Sequence, residues 1–113
     1  NVYRVGISDF GDKKNTLYLK RVVLPATITS AKLEKMATEV LDLSKLDNVS
    51  KLEIDDIYQE ERSVKEIIFP KNLKRGNFKK SDDFIIRVDK GKTKLVNYPS
   101  WVTQDEFGND VAK

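Results

Sequence analysis

Leu19-Lys-Arg-Val-Val-Leu-Pro25 and Val64-Lys-Glu-Ile-Ile-Phe-Pro70 are two versions of one pattern. Each opens on a large aliphatic residue, passes through a run of apolar residues to a proline, and is followed by a further aliphatic, Ile28 or Leu73. The longer segments Leu19 to Thr29 and Val64 to Lys74 align without a gap. Only a Lys and the Pro are identical, but the apolar positions agree throughout. β-Branched Val22, Val23, Ile67 and Ile68 favour extended backbone, and proline has no N–H to give a ladder. Each unit therefore reads as a short strand that stops at Pro25 or Pro70 and then turns. Repeated apolar spacing of this kind is how a solenoid fills its core, and it points to a binding scaffold rather than an enzyme.

Working outward, Val40-Leu-Asp-Leu43 and Lys51-Leu-Glu-Ile54 alternate as strands do, and so do Phe84-Ile-Ile-Arg-Val88 and Lys94-Leu-Val-Asn-Tyr98. Asp89-Lys-Gly-Lys-Thr93 between the last two is a turn around Gly91, and a hairpin fits the pair. Ser30 to Leu46 has helical character: Leu33, Met36, Ala37 and Val40 share one face behind a Ser30 N-cap, predicting a helix from about Ala31 to about Val40. The expected fold is β-rich with a short helix, an irregular solenoid fragment. The uneven strand spacing leaves a small α+β or β-sandwich domain as the alternative.

The bulk properties narrow the function. A chain of 113 residues, 39% apolar and 35% charged, is one domain, 1–113, with enough apolar surface to fold unaided. No apolar run approaches the roughly 18 residues of a membrane helix, so no membrane insertion is expected. The start at Asn1 reads as that of an excised or processed piece. Cys and His are both absent, which removes Ser-His-Asp and Cys-His relays and the usual transition-metal ligands. The glycines at 6, 11, 76, 91 and 108 form neither a dinucleotide fingerprint nor a phosphate loop. The carboxylates supply no pair that stands out for glycoside hydrolysis. Asp105, Asn109 and Asp110 lack calcium-loop spacing and read as an exposed polar tail. No catalytic residues, no cofactor and no metal are expected.

Net charge is +3 with mixed signs. The one concentration of cations is Lys71, Lys74, Arg75, Lys79 and Lys80, which reads either as a solvated loop or as a contact for an anionic polymer. Acidic pairs at Asp55-Asp56, Glu60-Glu61 and Asp82-Asp83 flank it and blunt its field, and nucleic acid is not the expected partner.

Leu19-Lys-Arg-Val-Val-Leu-Pro-Ala-Thr-Ile-Thr-Ser30, with Phe10-Gly-Asp-Lys-Lys before it, resembles the repeat unit of BspA-like bacterial leucine-rich-repeat proteins: a leucine, a strand ending in Leu-Pro, and a short Thr-Ser turn. Val64 to Leu73 is similar to a second copy. Ile86 to Trp101 resembles the closing segment of such arrays, where a strand, a Gly-Lys turn, a Tyr and a Trp end the stack. The resemblance implies repeat-like units over about 10–81, a C-terminal cap over about 82–103 and a polar tail over 104–113. Residues 31 to 62 depart from the spacing and read as an irregular or capping unit. It also implies a cell-surface or secreted bacterial adhesion scaffold that binds a protein or glycan without catalysis. The alternative is a small accessory domain binding an anionic polymer through 71–80.

Strand alternation predicts that Val22, Leu24, Leu52, Ile54, Ile67, Phe69, Ile86 and Val88 point inward. The complementary set, Arg21, Val23, Lys51, Glu53, Glu66, Ile68, Ile85 and Arg87, then forms an open sheet face that mixes apolar anchors with charge, as a partner surface does, or else packs under a neighbouring element. Tyr98 and Trp101 either plug the end of the core or stack on a ligand.

Overall fold

The computed structural model describes residues 2–5, 19–34, 36, 38–56 and 64–113, with β1 (Val2–Val5) given as backbone alone. After β1 come β2 (Leu19–Val23), β3 (Ser30–Glu34), β4 (Thr38–Asp42), β5 (Lys51–Asp55), β6 (Glu66–Ile68), β7 (Phe84–Arg87), β8 (Lys94–Val96), β9 (Val102–Gln104) and β10 (Asp110–Ala112). Single 3-10 turns occupy Arg75–Asn77 and Ser81–Asp83. The architecture is β-rich, built as two sheets.

From β1 to β8 successive strands alternate between the sheets. The order is β1-β3-β5-β7-β10-β9 in one and β2-β4-β6-β8 in the other. All pairings among β1, β3, β5 and β7, and among β2, β4, β6 and β8, are parallel. Only β10 and β9 run antiparallel, closing the larger sheet beyond β7. A residue's ladder partners therefore lie about two elements away in sequence, and the connection between them passes through the opposite sheet.

The register shows what the proline-marked repeat is. Val22, Leu41 and Ile67 stand side by side in β2, β4 and β6. The ladder then runs on through Leu24 N–H to Asp42 O, Leu43 N–H to Ile68 O and Phe69 N–H to Val96 O. Leu24, Leu43 and Phe69 are all buried, as are Ile28, Leu46 and Leu73 in the turns that follow. The two copies legible in the sequence are thus separated by a third, β4, in which Ser44 stands where the others have proline.

The core lies between the sheets. Ala31, Leu33, Leu52, Ile54, Phe84 and Ile86 project from the larger sheet, and Leu41 and Ile67 from the smaller. Burying a side chain of this size contributes about 1.5–3 kcal/mol each, which rewards long-range parallel pairing in a chain of short strands. Val22 and Val88 pack partly buried against the same cluster, so the inward set forms as the alternation predicts.

Three expectations are corrected. The helix from about Ala31 to about Val40 is replaced by two strands, β3 and β4. Leu33, Met36 and Val40 fit a period of 3.6, but Ala31 and Leu33, two residues apart and both buried, fit a period of two. Ladders on both flanks, β1 and β5 for β3 and β2 and β6 for β4, supply more hydrogen bonds and burial than an isolated ten-residue helix, which is marginal in water. The Phe84–Val88 and Lys94–Tyr98 segments are not a hairpin: β7 and β8 belong to different sheets, and the turn around Gly91 carries the chain across. Finally, 104–113 is not an exposed polar tail. Asp110, Val111 and Ala112 are buried as β10, paired to β7 on one side and β9 on the other. Residues 31 to 62, expected to be irregular, contribute β3, β4 and β5 to the same alternation. The Phe10 to Lys14 segment and the Glu60-Glu61 pair lie outside the described residues.

Candidate functional site: the outer faces of the two sheets

The predicted single face is two faces. Arg21, Val23, Glu66 and Ile68 lie on the four-stranded sheet, whereas Lys51, Glu53, Ile85 and Arg87 lie on the six-stranded one. Sequence alternation assigns a side chain to inside or outside but says nothing about which sheet carries the strand. Consecutive strands here change sheet each time, so neighbours in sequence are separated by the core.

The two faces differ in chemistry. On the larger sheet Lys32 lies beside Glu53, and Ile85 follows; next to them run Glu34, Asp55 and Arg87. Lys32 Nζ stands 3.3 Å from both Glu34 and Glu53, and Arg87 stands 3.7 Å from Asp55. The hydrogen bond to Glu53, then that to Glu34, holds the Lys32 ammonium above its ordinary range. This is a solvated charge lattice, and water and salt screen its exposed pairs.

On the smaller sheet the cross-strand rows are Arg21, Val40, Glu66 and Lys94, and Val23, Asp42, Ile68 and Val96. Val23 is 44% exposed, and Val40, Ile68 and Val96 are partly exposed. Arg21 bridges the rows, its Nη2 donating to Asp42 Oδ2 at 2.6 Å. Burial alone would raise the Asp42 carboxyl. Hydrogen bonds from Ser44 and from Arg21, with the guanidinium charge, outweigh it and hold the group below its usual range. The result is an apolar diagonal framed by fixed charges, the composition of a partner-binding surface. Val40, Asp42, Lys94 and Val96 belong to it but were not predicted. The alternation in Val40-Leu-Asp-Leu43 exposes the first of them, but only the register sets it beside Arg21.

The basic segment is anchored. Arg75 donates from Nε to Lys113 O and from Nη1 to Phe78 O, both at 2.6 Å, and Phe78 is buried. Lys71, Lys74, Lys79 and Lys80 remain exposed around this anchor. Of the five predicted polyanion contacts, Arg75 is thus committed to the fold.

The chain matches no family model, no curated protein and no solved structure.

Tyr98 and Trp101 pack partly buried against the end of the core, as a plug does. Trp101 packs 5.0 Å from Phe84 and 5.6 Å from Phe78 between ring centroids, and its Nε1 donates to Leu73 O at 3.2 Å. Tyr98 meets Phe69 edge-on at 5.1 Å. Asp56, read from the sequence only as half of a flanking acidic pair, is 3% exposed; its Oδ2 accepts the Val64 amide at 2.8 Å. Burial pushes its carboxyl up to about 7; the Val64 and Met36 amides oppose that rise and the charge of Asp55 adds to it. No group of three or more acidic residues is placed to hold a metal, and no helix is long and apolar enough to cross a membrane, among the described residues.

Proposed function

We propose that this chain is a fragment of a leucine-rich-repeat-like solenoid of the BspA type, and that it acts without catalysis as an adhesion scaffold. Strict alternation of strands between two parallel ladders supports the solenoid reading: each pass contributes one strand to each sheet and covers the pass before it. Successive passes differ in length, since Ser30 stands beside Lys51 but Leu52 beside Phe84, which accounts for the irregular spacing. β9, β10 and the Tyr98–Trp101 plug then serve as the closing cap. A location at the bacterial surface or outside the cell follows from the resemblance.

The observation that carries the functional reading is the outer face of the four-stranded sheet, where Val23, Val40, Ile68 and Val96 alternate with Arg21, Glu66 and Lys94. Its partner is a protein. Surface-immobilised extracellular-matrix proteins, probed with wild-type chain and with Val23→Asp and Ile68→Asp, test it. Each substitution is expected to weaken binding at least tenfold, while Glu53→Ala and Arg87→Ala on the larger sheet leave it unchanged. Equal loss from both sets would defeat the assignment. The four exposed lysines of 71–80 sustain the second reading, an anionic-polymer contact; heparin retention unchanged by Lys74→Ala with Lys79→Ala would dismiss it.

A further inference from the structure

A cleft of about 450 Å³ lies between the end of β7 and the β9–β10 hairpin, with Phe107 on its rim. Phe107 is 79% exposed, an unusual place for an aromatic ring in a chain that buries Phe69, Phe78 and Phe84 almost completely. The loop that carries it is stapled by one side chain. Asp105 Oδ1 accepts the amides of Phe107 at 2.9 Å and Asn109 at 2.8 Å, and Asp105 Oδ2 accepts Asn109 Nδ2 at 3.2 Å. The Gly108 amide donates to Asp105 O at 3.2 Å, and the positive φ of Gly108, 83°, lets the turn close. The backbone that carries the ring is therefore fixed before any ligand arrives, which lowers the ordering cost of binding.

The opposite wall is formed by Ile86, Arg87, Val88 and the Asp89–Gly91 turn. Arg87 pairs with Asp55, Lys90 with Asp110, and Asp89 Oδ1 accepts the Gly91 amide at 2.9 Å. The lining thus sets the cations Arg87 and Lys90 against the carboxylates Asp89 and Asp110, with no net charge to select an ionic ligand. What remains is the aromatic face of Phe107, the partly exposed Val88, the side-chain amide of Gln104 and the amide oxygen of Asn109. A ring with polarised C–H groups on one face and hydroxyls around its rim answers each of these. The C–H face meets the negative face of the π-system, and the planar amides bond neighbouring hydroxyls.

We propose that this cleft binds a neutral saccharide, with Phe107 stacked on one pyranose face and Gln104 and Asn109 bonding its hydroxyls. The site is separate from the four-stranded sheet face, and neither assignment depends on the other. Titration of the isotope-labelled chain with maltose, lactose and chitobiose, followed by amide NMR, tests it. At least one sugar is expected to shift Gly91, Gln104, Phe107, Gly108 and Asn109 while leaving Arg21, Val40 and Ile68 still. Phe107→Ala and Gln104→Ala are expected to weaken that binding at least tenfold with an unchanged thermal transition, and Phe107→Tyr to retain it. The proposal is overturned if none of the three disaccharides moves these amides, if the shifts persist in Phe107→Ala, or if a sulfated disaccharide binds more tightly than the neutral ones.

Discussion

The phenol of Tyr98 donates a 2.6 Å hydrogen bond to Oδ2 of Asp110, joining the segment after β8 in one sheet to β10 in the other. Asp110 is 3% exposed and takes Lys90 as its second partner. Burial, reinforced by the Asp110 carboxylate, pushes the phenol well above its ordinary range, so Tyr98 remains a donor. Tyr98→Phe should cost about 1–2 kcal/mol, read as a lower urea midpoint with unchanged slope. Asp110→Ala should cost more, because it strips both the phenol and the Lys90 ammonium of their acceptor.

Asp56 makes stability pH-dependent. Its carboxyl sits at about 7 in the folded chain against the ordinary value of 3.8, so the folded state holds the proton more tightly than the unfolded one. Stability is then greatest below the ordinary value and is lost as pH rises through the window up to about 7, by an amount on the order of a few kcal/mol. Asp56→Asn, which carries no charge, should flatten that slope. Thermal melts at intervals from pH 4 to pH 8, with the denaturation midpoint as readout, check this; a variant with the parent's slope would show that another group is responsible.

Arg21→Ala tests the opposite sign. Asp42 is held below its usual range, so its contribution is present above the ordinary carboxylate value and disappears as pH falls through the depressed one. The substitution should cost only about 0.5–1 kcal/mol at neutral pH, since the guanidinium is half exposed, and should narrow the difference from wild type under acid. Chemical denaturation at pH 7 and pH 3 measures both.

Trp101 is the sole tryptophan and therefore a built-in reporter of the aromatic plug. Phe84→Ala, which removes a fully buried ring in contact with it, should cost about 3–5 kcal/mol and move the emission to the red. Phe107→Ala should stay within about 0.5 kcal/mol with unchanged emission. Equal effects from the two would contradict the packing.

Much of the inside-outside pattern was legible because strand alternation is local. Leu52 and Ile54, or Ile67 and Phe69, announce their burial within a few residues. β4 was partly hidden: without a proline at Ser44, its kinship with β2 and β6 shows only in the ladder. The helix expected over Ala31 to Val40 failed for a related reason. Leu33, Met36, Ala37 and Val40 fit the helical period while Ala31 and Leu33 fit the strand period, and the choice between them was made by strands that flank the segment in space and not in sequence.

The sequence by itself determined that the chain is β-rich, that its strands are short, two of them stopped by Pro25 and Pro70, and that no thiol or imidazole chemistry is available. Residue type and near-neighbour spacing carry that information. Only the tertiary structure decided that consecutive strands divide between two sheets, that Arg21 and Val23 share a face with Val40 and Ile68 and not with Glu53 and Arg87, and that Asp110 to Ala112 close a sheet. Those facts depend on register between residues far apart in the chain, and register is set by how the buried faces of the two ladders fit together.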